Sequence, residues 1–151
     1  LGYTFAEGDD FHPQANIDKM SAGAPLDDED RMPWLRRLAQ WTRARDDEGT
    51  STVVTCSALR RRYRDVLRSG AADTFFVHLV GDQRVLLERM GRRQHFMPPA
   101  LLKSQFDTLE PLGEDEHGLS LDVTESPERI VQQVVQSLRL RPRRPSGVDG
   151  Q

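Results

Sequence analysis

Four short runs rich in β-branched and aromatic residues recur along the chain, at residues 3–6, 52–56, 74–80 and 119–124. Each is too short for a helix and carries side chains that suit a pleated surface, so each reads as a strand, that over 52–56 as a buried one. The stretch after each run has apolar residues at helical spacing. Strand–helix–strand order needs crossover connections, which make neighbouring strands parallel and the crossovers right-handed. The expectation is an α/β protein with four strands in a mostly parallel sheet. There is no internal repeat, and 151 residues make one domain of ordinary size with room for a real core.

The helical segments can be placed by their punctuation. A short helix over 16–22, with Ile17 and Met20, is stopped by Gly23 and Pro25. A longer one starts near Asp28 to Asp30, whose charges suit a helix N-terminus, and ends by Gly49. Trp34, Leu35, Leu38, Ala39 and Trp41 form its apolar set, and Pro33 is expected in or near the first turn. A basic helix over 60–68 carries Tyr63, Val66 and Leu67, and another carries Val85, Leu86 and Met90. Ser126, Pro127 and Glu128 open the last helix as N-cap, N1 and early acid, with the stripe Ile130, Val131, Val134, Val135 and Leu138. Residues 91–111 break the rhythm, with Leu101, Leu102, Gln105 and Phe106 on one short helix, and read as a lid. The domain is expected to span residues 1–138, followed by a disordered basic tail over 139–151.

Charge and composition narrow the classes. A net charge of -3 argues against general nucleic-acid binding, and no apolar run approaches the ~20 residues that cross a bilayer. The N-terminus lacks the basic and apolar regions of a secretory signal, and the single Cys56 suits a reducing cytoplasm. Of the 21 basic residues only Lys19 and Lys103 are lysines. Arginine binds phosphate and carboxylate in bidentate fashion, although a general compositional preference accounts for such a bias as well. The chain opens on Leu1-Gly2, which reads like a glycine-capped helix end, as though the sequence started within an element.

The densest chemistry lies in Glu7-Gly8-Asp9-Asp10-Phe11-His12-Pro13, at the carboxyl end of the first strand, where ligands collect in open α/β sheets. On an extended segment the carboxylates of Glu7 and Asp9 point to the same side. They could share a magnesium ion through water, or one could hold a substrate hydroxyl and take its proton. An ordinary turn is the alternative, and direct metal binding by Asp9, Asp10 and His12 is a third reading. Ser57 and Arg60, after the second strand, offer a hydroxyl, helix-start N–H groups and a guanidinium to an anion. Arg89, Arg92, Arg93 and His95 lead into a Pro-hinged segment, as a phosphate-binding lid would; solvated arginines are the alternative for both groups. Trp34, Trp41, His78 and Cys56 read as packing residues.

Gly8-Asp9-Asp10-Phe11-His12-Pro13, Asn16-Ile17-Asp18-Lys19-Met20 and Gly23-Ala24-Pro25-Leu26-Asp27-Asp28-Glu29-Asp30-Arg31-Met32-Pro33-Trp34-Leu35 occur in order. They are followed by Cys56-Ser57-Ala58-Leu59-Arg60, Tyr63-Arg64-Asp65, His95-Phe96-Met97-Pro98 and Gln105-Phe106-Asp107-Thr108-Leu109-Glu110. Together they closely resemble the gluconokinases, small P-loop kinases, over about residues 5–138. The resemblance implies a three-layer P-loop kinase fold, ATP and Mg2+ as cofactors, and phosphorylation of D-gluconate to 6-phospho-D-gluconate. It implies Asp9 as base for the primary hydroxyl and Glu7 beside the magnesium water shell. His12, Arg31, Ser57 and Arg60 would line the gluconate pocket, His95 would face it from the lid, and Arg89, Arg92 or Arg93 would close over the ATP phosphates. Gluconate and ATP are the implied partners, with no nucleic acid or membrane, and a homodimer is an assembly it allows.

The chain departs from the family pattern at Arg60, where Lys is usual, at Gln94, where Gly is usual, and at Glu7, where Asp is common. It also contains no G-x-x-x-x-G-K-[S/T]. In the family that motif, its strand and its helix precede the position of Leu1, and that strand is the central one. The expectation is therefore a chain lacking the first strand, P-loop and first helix, and nearly inactive alone. A gluconate-binding remnant without turnover and a shikimate-kinase-like enzyme are the alternatives.

Overall fold

The elements alternate as the hydrophobic pattern predicts. In this computed structural model, which describes residues 2–92 and 99–139, the first strand β1 is Thr4–Glu7, followed by helices α1 (Gln14–Ser21) and α2 (Asp28–Asp47). Then come β2 (Thr52–Thr55), α3 (Arg61–Arg68), β3 (Phe76–Val80), α4 (Gln83–Arg92), α5 (Pro99–Thr108), β4 (Gly118–Asp122) and α6 (Pro127–Arg139). Ser126 caps α6 as expected, its hydroxyl accepting from Arg129 N at 3.2 Å. Leu1, residues 93–98 and the expected tail from 140 onward lie outside the described residues, while Arg139 still belongs to α6. None of the described helices is long and apolar enough to cross a membrane.

Among the described residues all strand pairing is parallel. β1 pairs with β2 from Thr4 opposite Thr52 to Glu7 opposite Thr55, and β3 pairs with β4 from Phe76 opposite Gly118 to Val80 opposite Asp122. Among the described residues the two pairs are not hydrogen-bonded to each other. The expectation of a buried β2 is corrected: its side chains alternate between half-buried and exposed, and Val53 is 46% exposed. Nothing in the described residues covers that face. Leu79 of β3 is equally open, at 47%.

The core lies between α2 and α3. Trp34, Leu35, Leu38 and Tyr63 are fully buried, with Val54, Leu59, Val66 and Leu67 packed around them. Each such aliphatic side chain contributes about 1.5–3 kcal/mol by leaving water. Pro33 sits one turn deeper in α2 than expected, because Asp27 rather than a later residue is the N-cap. Asp27 and Asp30 form a reciprocal capping box, with Asp30 N donating to Asp27 Oδ1 at 2.8 Å and Asp27 N to Asp30 Oδ2 at 3.0 Å.

A buried ion pair ties α3 to the loop before β4. Arg64 Nε donates to Glu116 Oε1 at 2.9 Å and Nη2 to Oε2 at 3.1 Å. The same guanidinium donates to the carbonyls of Ala58 (2.9 Å) and Pro111 (3.3 Å). Burial opposes ionisation of Glu116, but hydrogen bonds from Arg64, Gly113 N and Arg68 outweigh it and hold the carboxyl at about 2. Arg68 also places its guanidinium 5.6 Å from the ring centre of Phe76 on β3. Thus α3 links the two strand pairs.

Candidate active site

The parallel register brings the carboxyl ends of β1 and β2 together, with Glu7 beside Thr55. The chain then turns sharply through a 3-10 turn, Gly8–Phe11. Only glycine fits at its start, since a Cβ on Gly8 would overlap the Thr55 carbonyl oxygen. The turn is pinned from two sides. Gly8 N donates to Thr55 Oγ1 (3.2 Å), which donates to Glu7 Oε1 (2.7 Å), and Trp34 Nε1 donates to the Gly8 carbonyl (2.7 Å). This corrects the premise that Glu7 and Asp9 share an extended segment. The 3-10 turn starts between them, yet both still reach the same cavity.

His12 is buried and stacks on Trp34, with ring centres 4.1 Å apart and planes 16° from parallel. Its Nδ1 lies 3.2 Å from Asn16 Nδ2, and its Nε2 lies 3.6 Å from Asp9 Oδ1. Trp34 is thus core, as read from the sequence, and also a wall behind the site. α1 is fastened to the start of α2 by Lys19, whose Nζ donates to Asp30 Oδ2 at 2.6 Å. That hydrogen bond raises the pKa of Lys19 and lowers that of Asp30.

Arg31 is buried in the first turns of α2. Its Nε donates to the Leu26 carbonyl (3.2 Å) and its guanidinium carbon lies 5.4 Å from the Tyr63 ring centre. Beneath it, Asp28 accepts from the Tyr63 hydroxyl and from Arg62 Nη1 (2.7 Å), with Arg60 Nη1 3.5 Å away. The Tyr63 hydrogen bond, aided by Arg60, Arg62 and Arg31, keeps Asp28 below the usual carboxylate range. Burial, then the Asp28 hydrogen bond, push the Tyr63 hydroxyl up to about 12.

These elements enclose a cavity of about 200 Å³. Glu7, Asp9, His12, Arg31 and Ser57 line it, so five of the residues expected at the site come together. Met20, Pro25 and Leu26 close one side, and Leu101, Ser104 and Gln105 of α5 close another. The volume is below the ~300–1,000 Å³ of pockets for drug-sized ligands and suits a small molecule. Thr55 and Cys56 also line the cavity, and Cys56 packs against the core cluster as well, as read from the sequence. Burial, and next the Asp9 charge, push its thiol up to about 12, so it is neutral and no nucleophile.

Other expected residues stand elsewhere. Arg60 is the N-cap residue of α3 and is not among those lining the cavity. Arg89 donates to the Val123 carbonyl after β4 (2.7 Å). Arg92 ends α4, and Arg93 and His95 lie outside the described residues. Among the described residues no group of three His, Cys, Asp or Glu side chains could hold a metal, so direct coordination by Asp9, Asp10 and His12 finds no support. Sequence reasoning passed over Thr55, Ser104 and Gln105. Thr55 was absorbed into a strand, and Gln105 sat on the apolar stripe of a short helix.

Parallel strands whose carboxyl ends frame a small cavity, lined by carboxylates, an imidazole and a guanidinium, make an α/β protein with a candidate small-molecule site. An unliganded sugar kinase from Janibacter sp. HTCC2649 superposes with a TM-score of 0.88 at 50% identity, covering 94% of this chain and 83% of that one. A gluconokinase from Sinorhizobium meliloti 1021 gives a TM-score of 0.81 at 44% identity, over 91% of this chain and 78% of the other. The thermosensitive gluconokinase of Escherichia coli K12 is 43% identical over 140 residues, which are 91% of this chain and 75% of that protein. The Gluconobacter oxydans 621H gluconokinase is 43% identical over 89% of this chain and 76% of its own length. No protein-family model matches the chain. The chain belongs to the gluconokinase family.

Proposed function

We propose that these residues form the acceptor side of a kinase that phosphorylates D-gluconate from ATP to give 6-phospho-D-gluconate. One observation carries the reading: in a member of the gluconokinase family, Asp9, His12, Arg31 and Ser57 line one small cavity at the ends of two parallel strands.

Asp9 is the base. Its side chain is 57% exposed and lines the cavity, where it would accept the proton of the substrate's primary hydroxyl. The buried guanidinium of Arg31 faces the substrate carboxylate, and Ser57 bonds a hydroxyl. Arg60 would join them only by leaving Asp28. Leu101, Ser104 and Gln105 hold the substrate from the α5 side and keep water out.

The oxygens of Glu7 and Thr55 fit a hydrated Mg2+ held mainly by water and phosphate, in the manner usual for that ion. Glu7 would hold it through water. Bound with ATP, the ion would spread the charge of the phosphoryl oxygens. The 151 residues contain no G-x-x-x-x-G-K-[S/T], so the usual ATP phosphate cradle is not among them. Arg89, Arg92 and Arg93 are the candidates for closing over the phosphates, and His95 for facing the substrate.

Calorimetry and a coupled assay for 6-phosphogluconate test the reading. The expected result is gluconate binding by the 151-residue chain with little turnover, and turnover once a P-loop strand–helix unit from a relative is joined to it. Failure to bind gluconate overturns the proposal, and robust turnover by the chain alone overturns the expected weakness. Equal preference for shikimate in a substrate panel favours the related-kinase alternative.

A further inference from the structure

Asn16 is 4% exposed and sits between His12 and the first turn of α2. Its Nδ2 lies 2.9 Å from the backbone carbonyl oxygen of Asp30 and 3.2 Å from His12 Nδ1. A carbonyl oxygen only accepts hydrogen bonds, so the Asn16 atom beside it must be the amide nitrogen. This settles which way the amide faces, a matter that atom positions alone leave ambiguous. The second hydrogen of that NH2 group then points at His12 Nδ1, which must accept it. In a neutral imidazole the proton is therefore on Nε2. A proton on Nδ1 would set two N–H groups against each other in a buried place.

Nε2 is the nitrogen that faces Asp9 Oδ1, at 3.6 Å. The ring cannot swing away readily, because it stacks on Trp34, which is itself held by its bond to the Gly8 carbonyl. The Asp30 carbonyl is held in turn, since its residue closes the capping box and binds Lys19.

We infer that Asn16 is a positioning residue that fixes the tautomer of His12, so that an Nε2–H donor faces the Asp9 carboxylate and the acceptor cavity. The Asp30 carbonyl sets Asn16, Asn16 sets His12, and His12 presents a donor to the base. The separation of 3.6 Å exceeds a formed hydrogen bond, and such contacts at active sites commonly shorten when substrate is bound. The role given to Asp9 rests on the proposed function; the tautomer does not.

The test is nitrogen-15 NMR of the histidine rings in the full chain, beside gluconate titration of the same samples. Wild-type His12 is expected wholly in the Nε2–H form. Asn16→Asp puts acceptor oxygens where the donor was and should move the ring proton to Nδ1, while Asn16→Leu should give a mixture. A role in packing alone would move neither signal. Both variants should bind gluconate about tenfold more weakly, the loss of roughly one good hydrogen bond at the site. Wild-type His12 in the Nδ1–H form, or a folded Asn16→Asp with an unchanged tautomer, overturns the proposal. If a variant does not fold, the wild-type spectrum alone decides. If the wild type shows the Nε2–H form but binds no gluconate, the proposed function fails and the positioning stands.

Discussion

The half of the molecule built on β1, β2, α2 and α3 differs sharply from the half built on β3, β4 and α6. The first contains every fully buried large side chain among the described residues, namely Trp34, Tyr63, Leu35 and Leu38. It also buries His12, Asn16 and Arg31, and no buried side-chain polar atom among the described residues lacks a partner. In the second half no residue of α6 is buried, Val131 is 58% exposed, and Leu79 and Val80 stand open on β3. Parallel strands are ordinarily covered on both faces. The acceptor site is therefore packed mainly by its own half and by α5, whereas Leu121 is the one buried residue among β3, β4 and α6. Substitutions should report that asymmetry.

The largest expected effect is chemical. In the chain joined to a P-loop unit, Asp9→Ala should lower turnover by about 10²–10⁴-fold, the usual worth of a positioned base, in the coupled assay. Its side chain is mostly exposed, so urea unfolding should move by only about 0.5 kcal/mol. A comparable loss of stability would make Asp9 a structural residue instead.

Next comes the link between the halves. Glu116→Gln leaves Arg64 buried without its counter-charge and should cost about 3–5 kcal/mol in urea unfolding. The native carboxyl sits at about 2 against an ordinary 4.5, so its contribution is complete above 4.5 and lost as pH falls toward 2. Wild-type stability should thus be steady from this source at neutral pH and fall below about 4.5. The Gln variant should fall less steeply, with Asp28, Asp30, Asp115 and Asp122, all lowered, supplying the remaining slope. Identical acid profiles would show the link to be unimportant.

Leu38→Ala should cost about 2–5 kcal/mol, as expected for a filled core. Leu79→Ala should cost only about 0.5 kcal/mol, the smallest effect of the set. A loss at Leu79 matching that at Leu38 would show that its strand face is covered in solution.

Much of this could be read in the chain itself, for a physical reason. Strand and helix depend on periodicity and local punctuation, so the four strands, the Ser126 cap and the acidic start of α2 were all legible. Glu7, Asp9 and His12 were conspicuous because, with Asp10, four ionisable side chains shared one short loop at a strand end. Exposure was less legible, because a run such as Thr52-Val53-Val54-Thr55 is equally apolar whether or not something covers it. The placing of Arg60 was less legible for a similar reason. Its proximity in sequence to Ser57 suggested a shared pocket, but the N-cap position of α3 turned it toward Asp28.

By itself the sequence determined the α/β class, the parallel order and the resemblance to gluconokinases, all of which reside in local pattern and motif text. It also determined which residue types could accept a proton or meet an anion. Only the tertiary structure decided that Gly8 starts a 3-10 turn against Thr55, that α5 closes the cavity with Ser104 and Gln105, and that Trp34 backs His12. The tautomer chain from Asp30 through Asn16 to His12 was likewise invisible in the sequence. It depends on atoms of three separate segments meeting within hydrogen-bond reach, and no single stretch of residues encodes such a meeting.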